Sequence, residues 1–232
     1  MLERLLEYDN VLFEALNGSD SLYWDAYMWV VTKTQTWIPL LLVILFVVAR
    51  RSTVRRTVLF VVFFALAILF ADQLSSGLIK PWVQRWRPTH AATFVHSIDT
   101  VFGYLGGRYG FVSSHAANTF AVALYLSLLF RHTPLSVLLF AWALTASYSR
   151  VYLGVHYPGD ILCGGLLGLM VGGLVYLGFT KADGKINTAV RHYAAENYTS
   201  TGFPVVDMEL VMAAIVSVFA LVFVAAVFVG NS

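Results

Sequence analysis

Leu2, Leu5, Leu6, Leu12, Phe13 and Leu16 recur at helical spacing, with Glu3, Glu7, Asn10 and Glu14 opposite them. The pattern predicts an amphipathic helix over residues 1–18, stopped by Asn17-Gly18. Such a helix either lies in a membrane interface or packs against its own chain, and its acidity makes it a poor anchor to anionic lipid. Beyond it the pattern changes to long apolar runs. The first spans about Tyr23 to Ala49, interrupted by Lys33 and Pro39, and the second about Thr57 to Ile79, with Asp72 inside it. The others are Ser114 to Phe130, Thr133 to Ser149, Pro158 to Thr180 and Leu210 to Val229. About 20 residues cross a bilayer core, so the last two suffice alone and the third and fourth need flanking residues. The expected fold is an all-α integral membrane protein: six transmembrane helices in a bundle over residues 19–232, plus an N-terminal interfacial amphipathic helix. Gly164, Gly168 and Gly172 form a small-residue stripe suited to helix packing within the chain.

Composition supports the membrane reading. Hydrophobic residues make up 59% of the 232 and charged residues 12%, against about 25% charge in soluble domains. A net charge of +2 argues against a nucleic-acid partner. Cys163 is the single cysteine, and no Cys/His grouping has metal-ligand spacing, so no metal and no cofactor are expected. Arg50, Arg51, Arg55, Arg56, Arg131, Lys181, Lys185 and Arg191 fall on one side of a six-span topology. The positive-inside rule makes that side cytoplasmic.

Three polar clusters interrupt the apolar runs, all on the opposite side: KPWVQRWRP at 80–88, FVSSHAAN at 111–118 and YSRVYLGVHYPGD at 148–160. Ionisable groups at a membrane are costly and usually functional. Lys80 supplies a compact ammonium and Arg87 a planar fork, a useful pair around a phosphoryl group. Arg85, one position off that pattern, reads with Trp82 and Trp86 as ordinary interfacial surface. Ser113 and Ser114 open an apolar helix, where free backbone N–H groups favour an anion or where a serine simply caps the helix. His115 can exchange protons near neutral pH, and Asn118 lies one turn further along the same face. Arg150 closes one run. His156 and Asp160 sit four apart at the start of the next, where the carboxylate can fix the imidazole and leave its other nitrogen as nucleophile or base. Asp72 is expected to bond within the bundle. His90, His96 and Asp99 fall between clusters where a lid could form, and Tyr104-Leu-Gly-Gly-Arg108 reads as flexible outer loop.

Taken together, Lys80-x6-Arg87-Pro88, Ser113-Ser114-His115 and Ser149-Arg150-x5-His156-x3-Asp160 resemble the phosphatidic acid phosphatase type 2 superfamily of membrane lipid phosphatases. The resemblance covers roughly residues 57–180. The first and third motifs match in full, whereas Val112 and Ser114 stand where the family has proline and glycine. What the resemblance implies is a metal-independent hydrolysis in which His156 attacks phosphorus, Asp160 orients it, and His115 protonates the leaving oxygen and later activates water. Lys80, Arg87, Ser113, Ser114 and Arg150 would hold the phosphoryl oxygens.

The expected substrate is a phospholipid or isoprenoid lipid phosphate reached from the bilayer, with the site facing the periplasm of a bacterial-type inner membrane. Undecaprenyl diphosphate is the preferred candidate because that carrier is released on the outer face. Lipid A phosphate, phosphatidylglycerophosphate and phosphatidate are the alternatives. A phosphotransferase or a phosphate-lipid transporter is the competing class, and the His156–Asp160 pair with a second histidine speaks against mere binding.

Overall fold

Pro39 and the polar Thr32–Thr36 stretch cut the first apolar run into two helices, because proline cannot donate to the helix before it. The computed structural model describes residues 1–92, 98–184 and 197–230, so His96, Lys185 and Arg191 lie outside the described residues. Helix α1 covers Leu2–Leu16, α2 Leu22–Val31 and α3 Ile38–Arg51, with a 3-10 turn at Thr34–Trp37 between the last two. The carbonyls freed at the break find side-chain donors. Thr36 Oγ1 donates to the Val30 carbonyl at 2.7 Å, and Trp37 Nε1 to that of Val31 at 2.9 Å.

Helix α4 (Val54–Asp72) runs on through π-helical turns at Gln73–Ile79 into α5 (Lys80–Val83). Then come α6 (Ser114–Phe130), α7 (Thr133–Tyr152), α8 (Pro158–Asp183) and α9 (Val205–Val229). Among the described residues four helices are long and apolar enough to cross a membrane: Thr34–Arg51, Val54–Val83, Pro158–Asp183 and Val205–Val229. The all-helical membrane fold therefore stands, but length and composition select four spans rather than six. The difference is α6, which has 17 residues, and α7, which carries serines, threonines and Arg150. Both are interior helices with extensive buried faces, and α2, at ten residues, is too short to span alone.

Helices α6 and α8 make the closest approach. A Cβ built on Gly164, Gly168 or Gly172 would collide with the carbonyl oxygens of Ser113, Ala117 and Ala121 respectively. The stripe of small residues thus serves packing inside the chain, in register along three turns. At one end of the bundle Arg51 pairs with Asp207 at the start of α9, while Arg56 pairs with Asp183 at 3.3 Å and Arg55 reaches the Ala182 carbonyl at 2.7 Å. The arginine-rich turn thereby gathers the end of α8 and the start of α9, and the three polar clusters lie at the opposite end.

Helix α1 packs on its own chain. Phe13 is buried and meets the Tyr157 ring edge-on, with centroids 5.5 Å apart. The Asn17 side-chain amide donates to the carbonyls of Tyr152 (2.9 Å) and Asp99 (3.0 Å). Leu2, Leu5, Leu6, Leu12 and Leu16 stay exposed, because the contact face runs through Asp9, Phe13 and Asn17 instead.

Two glycines on α8 test the packing. Gly168→Ala should destabilise by about 1–3 kcal/mol, since the added methyl meets a backbone carbonyl that cannot rotate away. Gly173→Ala, whose methyl would meet only the Leu124 side chain at 3.8 Å, should leave the melting temperature in detergent within a degree or two of the parent.

Candidate active site

Gln84 adopts a left-handed conformation (φ 53°) that stops α5. The chain then runs extended, and Trp86 bridges Tyr109 in antiparallel fashion, with Gly110 N–H donating to the Arg85 carbonyl at 2.8 Å. In extended backbone, residues two apart share a face. Arg85 and Arg87 therefore both turn toward the start of α8, while Trp86 turns away and is 45% exposed. Reading Arg85 as ordinary interfacial surface fails for this reason: the extended backbone after Gln84 puts it on the same face as Arg87.

Arg87 is fixed from three sides. Its Nε donates to the Tyr109 carbonyl at 3.1 Å, and one terminal nitrogen donates to the Val155 carbonyl at 3.1 Å and to His156 Nε2 at 3.0 Å. A guanidinium only donates, so Nε2 of His156 is the acceptor and Nδ1 carries the hydrogen. That hydrogen faces Asp160 Oδ2 at 3.2 Å. His156 is 2% exposed and Asp160 fully buried. Burial, then the charges of Arg87, Arg150, Lys80 and His115, hold the His156 pKa well below its ordinary value. The ring is thus neutral at physiological pH, with its Nε2 lone pair turned to Arg87. Burial and neighbouring Arg150 bring Arg87 down to about 10, still charged.

Asp160 is itself held. The Tyr157 backbone N–H donates to Oδ2 at 3.1 Å and Arg85 donates to Oδ1 at 3.0 Å. Arg85 extends its other terminal nitrogen to Asp9 Oδ2 at 2.8 Å and lies 4.0 Å from the Tyr157 ring centroid. Asp9 Oδ1 in turn accepts from the Gly159 N–H at 2.7 Å. Arg85 and Asp9 belong to the site and were missed. Alternation after Gln84 could have found Arg85, whereas no local signal links Asp9 to a residue 150 positions away.

The second cluster joins the third through Ser113 N–H, which donates to the Asp160 carbonyl at 3.0 Å. Ser113 caps α6, its hydroxyl accepting from Ala116 N–H at 3.4 Å, which leaves its O–H hydrogen for another acceptor. Ser114 points elsewhere. Its hydroxyl accepts from Lys80 Nζ at 2.5 Å and meets Ser76 Oγ at 2.7 Å, and Ser76 donates to Asp72 at 3.3 Å. Asp72 thus bonds within the bundle, as expected. The hydroxyl standing where the family has glycine fixes the lysine.

His115 and Arg150 meet at the broken first run. His115 Nε2 donates to the Thr32 carbonyl at 2.9 Å, and Arg150 donates to Thr32 Oγ1 at 2.7 Å and to Tyr104 Oη at 3.1 Å. Tyr104, read as flexible loop, instead pins a buried arginine. Nε of Arg150 is buried with no partner among the described residues. From His115 a cavity of about 280 Å³ runs inward between α3, α4, α6 and α7, lined by Thr32, Trp37, Asn118, Val122 and Trp142 among others. Among the described residues no group of His, Cys, Asp or Glu could hold a metal ion.

Residues 56–183 match the sequence profile of the PAP2 superfamily. The chain belongs to that superfamily. Its PAP2 relatives include the lipid A 4'-phosphatase of Bacteroides thetaiotaomicron, 38% identical over 76% of this chain and 79% of the relative. Another is the lipid A 4'-phosphatase of Porphyromonas gingivalis, 35% identical over 75% of this chain and 74% of the relative. The decaprenylphosphoryl-5-phosphoribose phosphatase of Mycobacterium tuberculosis is 39% identical, over 46% of this chain and 54% of its own. No solved structure matches. This PAP2 protein is accordingly a membrane lipid phosphatase, a hydrolase of phosphate esters.

Proposed function

We propose that this PAP2 protein removes the 4'-phosphate of lipid A through a phosphohistidine, without a metal. The observation that carries the reaction is the fixed tautomer of His156: Asp160 takes Nδ1–H, and Nε2 faces the arginine that would hold a phosphoryl group. The substrate follows from two lipid A 4'-phosphatases that match about three-quarters of this chain. The match to a prenyl-phosphate enzyme covers less than half of it, so undecaprenyl diphosphate gives way to lipid A as the favoured substrate.

The steps balance with this chain's own groups. Nε2 of His156, freed as Arg87 turns to the phosphoryl oxygens, forms the P–N bond as the ester P–O bond breaks, and His115, protonated on Nδ1 once the phosphate anion is bound, delivers that proton to the leaving oxygen. With His115 Nε2–H engaged by the Thr32 carbonyl, Nδ1 is the nitrogen left to exchange protons. Deprotonated His115 then takes a proton from water as its oxygen attacks phosphorus, the P–N bond breaks, and inorganic phosphate leaves. Arg87, Arg150, Lys80, the Ser113 hydroxyl and the backbone N–H groups opening α6 stabilise charge on the phosphoryl oxygens, which is most of what phosphoryl transfer requires. The positive-inside rule applied to Arg50, Arg51, Arg55 and Arg56 supports a periplasmic site in an inner membrane. The exposed leucines of α1 suit the membrane surface beside it.

Purified protein should release phosphate from lipid A in EDTA and water, in preference to undecaprenyl diphosphate or phosphatidate. A divalent-metal requirement, or a preference for the prenyl diphosphate, overturns the corresponding part of the proposal. His156→Ala should lower turnover by more than about a thousandfold with the fold retained. Arg85→Gln leaves Asp160 buried without its cation. It should lower kcat by about tenfold or more with KM within about twofold, and Arg85→Lys should recover part of the loss. An unchanged kcat, or a loss confined to KM, would show that Arg85 does not position the nucleophile's carboxylate.

A further inference from the structure

Helix α1 lies along the turn that carries the nucleophile and holds that turn at both ends. Before His156, the Gly18 N–H donates to the Tyr152 carbonyl at 3.0 Å, and the Asn17 amide donates to the same carbonyl at 2.9 Å. After His156, Phe13 meets the Tyr157 ring and Asp9 Oδ1 accepts from the Gly159 N–H at 2.7 Å. The approach is close because residue 159 is glycine: a Cβ there would lie 2.7 Å from Asp9 Oδ2. That second oxygen takes one arm of Arg85 at 2.8 Å, while the other arm reaches Asp160 Oδ1 at 3.0 Å. The Arg85 and Asp9 side chains are only 18% and 11% exposed, so the pair is shielded from the water that makes most surface ion pairs weak. None of α1 falls within residues 56–183, which match the superfamily.

We propose that Asp9 is a positioning residue for the reaction: it holds one arm of Arg85 so that the other aims at Asp160, and so orients His156 from outside the superfamily's own motifs. This rests on His156 being the nucleophile and Asp160 its orienting group. A guanidinium is a planar, rigid fork, so an anchor on one terminal nitrogen fixes the direction of the other. With Oδ1 taken by Arg85 and Oδ2 by the Tyr157 N–H, the Asp160 carboxylate has one orientation, in which Oδ2 faces His156 Nδ1. An asparagine at position 9 offers one oxygen where Gly159 N–H and Arg85 each bind their own, so one of the two donors loses its partner. Without that anchor Arg85 gains other rotamers and the plane of Asp160 is no longer fixed. Turnover falls, while the groups that hold the phosphoryl oxygens stay in place. A residue that merely fastened α1 to the bundle would act equally with or without Arg85.

The test measures phosphate release from lipid A and also from dioleoyl phosphatidate, so that a failure of the lipid A reading leaves it intact. Asp9→Asn should lower kcat by about fivefold or more with KM within about twofold. Asp9→Glu, which keeps the carboxylate, should recover part of the loss. Gly159→Ala reaches the same contact from α8 by displacing Asp9, and it should reproduce the loss even where Asp9→Asn accumulates poorly. In an Arg85→Gln background, Asp9→Asn should cost less than about twofold further, since its effect passes through Arg85. Glu7→Gln removes an exposed charge from the same helix and should leave kcat unchanged, as screening by solvent and salt predicts. If His156→Ala kept its turnover, the nucleophile assignment would fall while the coupling of Asp9 to Arg85 is still measured. An unchanged kcat in both Asp9→Asn and Gly159→Ala overturns the proposal. So does a loss that persists in full without Arg85, or one that Glu7→Gln shares.

Discussion

The site exists because two helices touch backbone to backbone. Gly164, Gly168 and Gly172 admit the carbonyls of Ser113, Ala117 and Ala121 where any side chain would hold them apart. That contact sets the height of α6 against α8, and both helices begin at the site end of the bundle. Ser113 N–H can then reach the Asp160 carbonyl, which locks the cluster carrying His115 to the one carrying His156. Without a hydrophobic force between helices in lipid, close van der Waals packing of small residues is the available means of fixing such a register. Every distance in the site inherits its tolerance from that seam.

The second constraint is charge. Arg87, Arg150, His156 and Asp160 are all buried, and an unpaired charge there would be prohibitive. The chain answers with a ring of fixed partners. Carbonyls of Tyr109 and Val155 hold Arg87, Thr32 and Tyr104 hold Arg150, and Arg85 with the Tyr157 N–H holds Asp160. What remains unpaired is selective. Arg150 Nε and the Ser113 hydroxyl hydrogen are donors, and the buried carboxylate beside them, Asp160, is turned to His156 and Arg85. A site of this polarity suits an anion.

Much of this was legible in the sequence because it was local. The His156–Asp160 spacing, the small-residue stripe and the helix-opening serines each follow from one helical period, and the structure realises all three. What was not legible depended on where helices stop. Lys33 and Pro39 announced an interruption in the first run but not that α2 would end there as a ten-residue helix. Gln84 gave no sign that it would leave the helical region, and it is the extended backbone after it that turns Arg85 from the interface to the start of α8. Asp9 reaches Gly159 and Arg85 across most of the chain, and no periodicity encodes that meeting.

The broken first run shows why such irregularity is kept. A continuous helix from Leu22 to Arg51 would bond the Thr32 carbonyl to its own backbone four residues on. It would also place the Thr32 hydroxyl beside the preceding turn. Breaking the helix at that residue frees both groups and turns them to the interior, where one takes the His115 N–H and the other takes Arg150. In a membrane a freed carbonyl is tolerated only where protein or a cavity satisfies it, and here the satisfying group is the histidine beside the cavity mouth. The break in the first apolar run and the fixing of His115 are therefore a single structural event. The 3-10 turn at Thr34–Trp37 completes it, since Trp37 caps the Val31 carbonyl and forms part of the cavity wall.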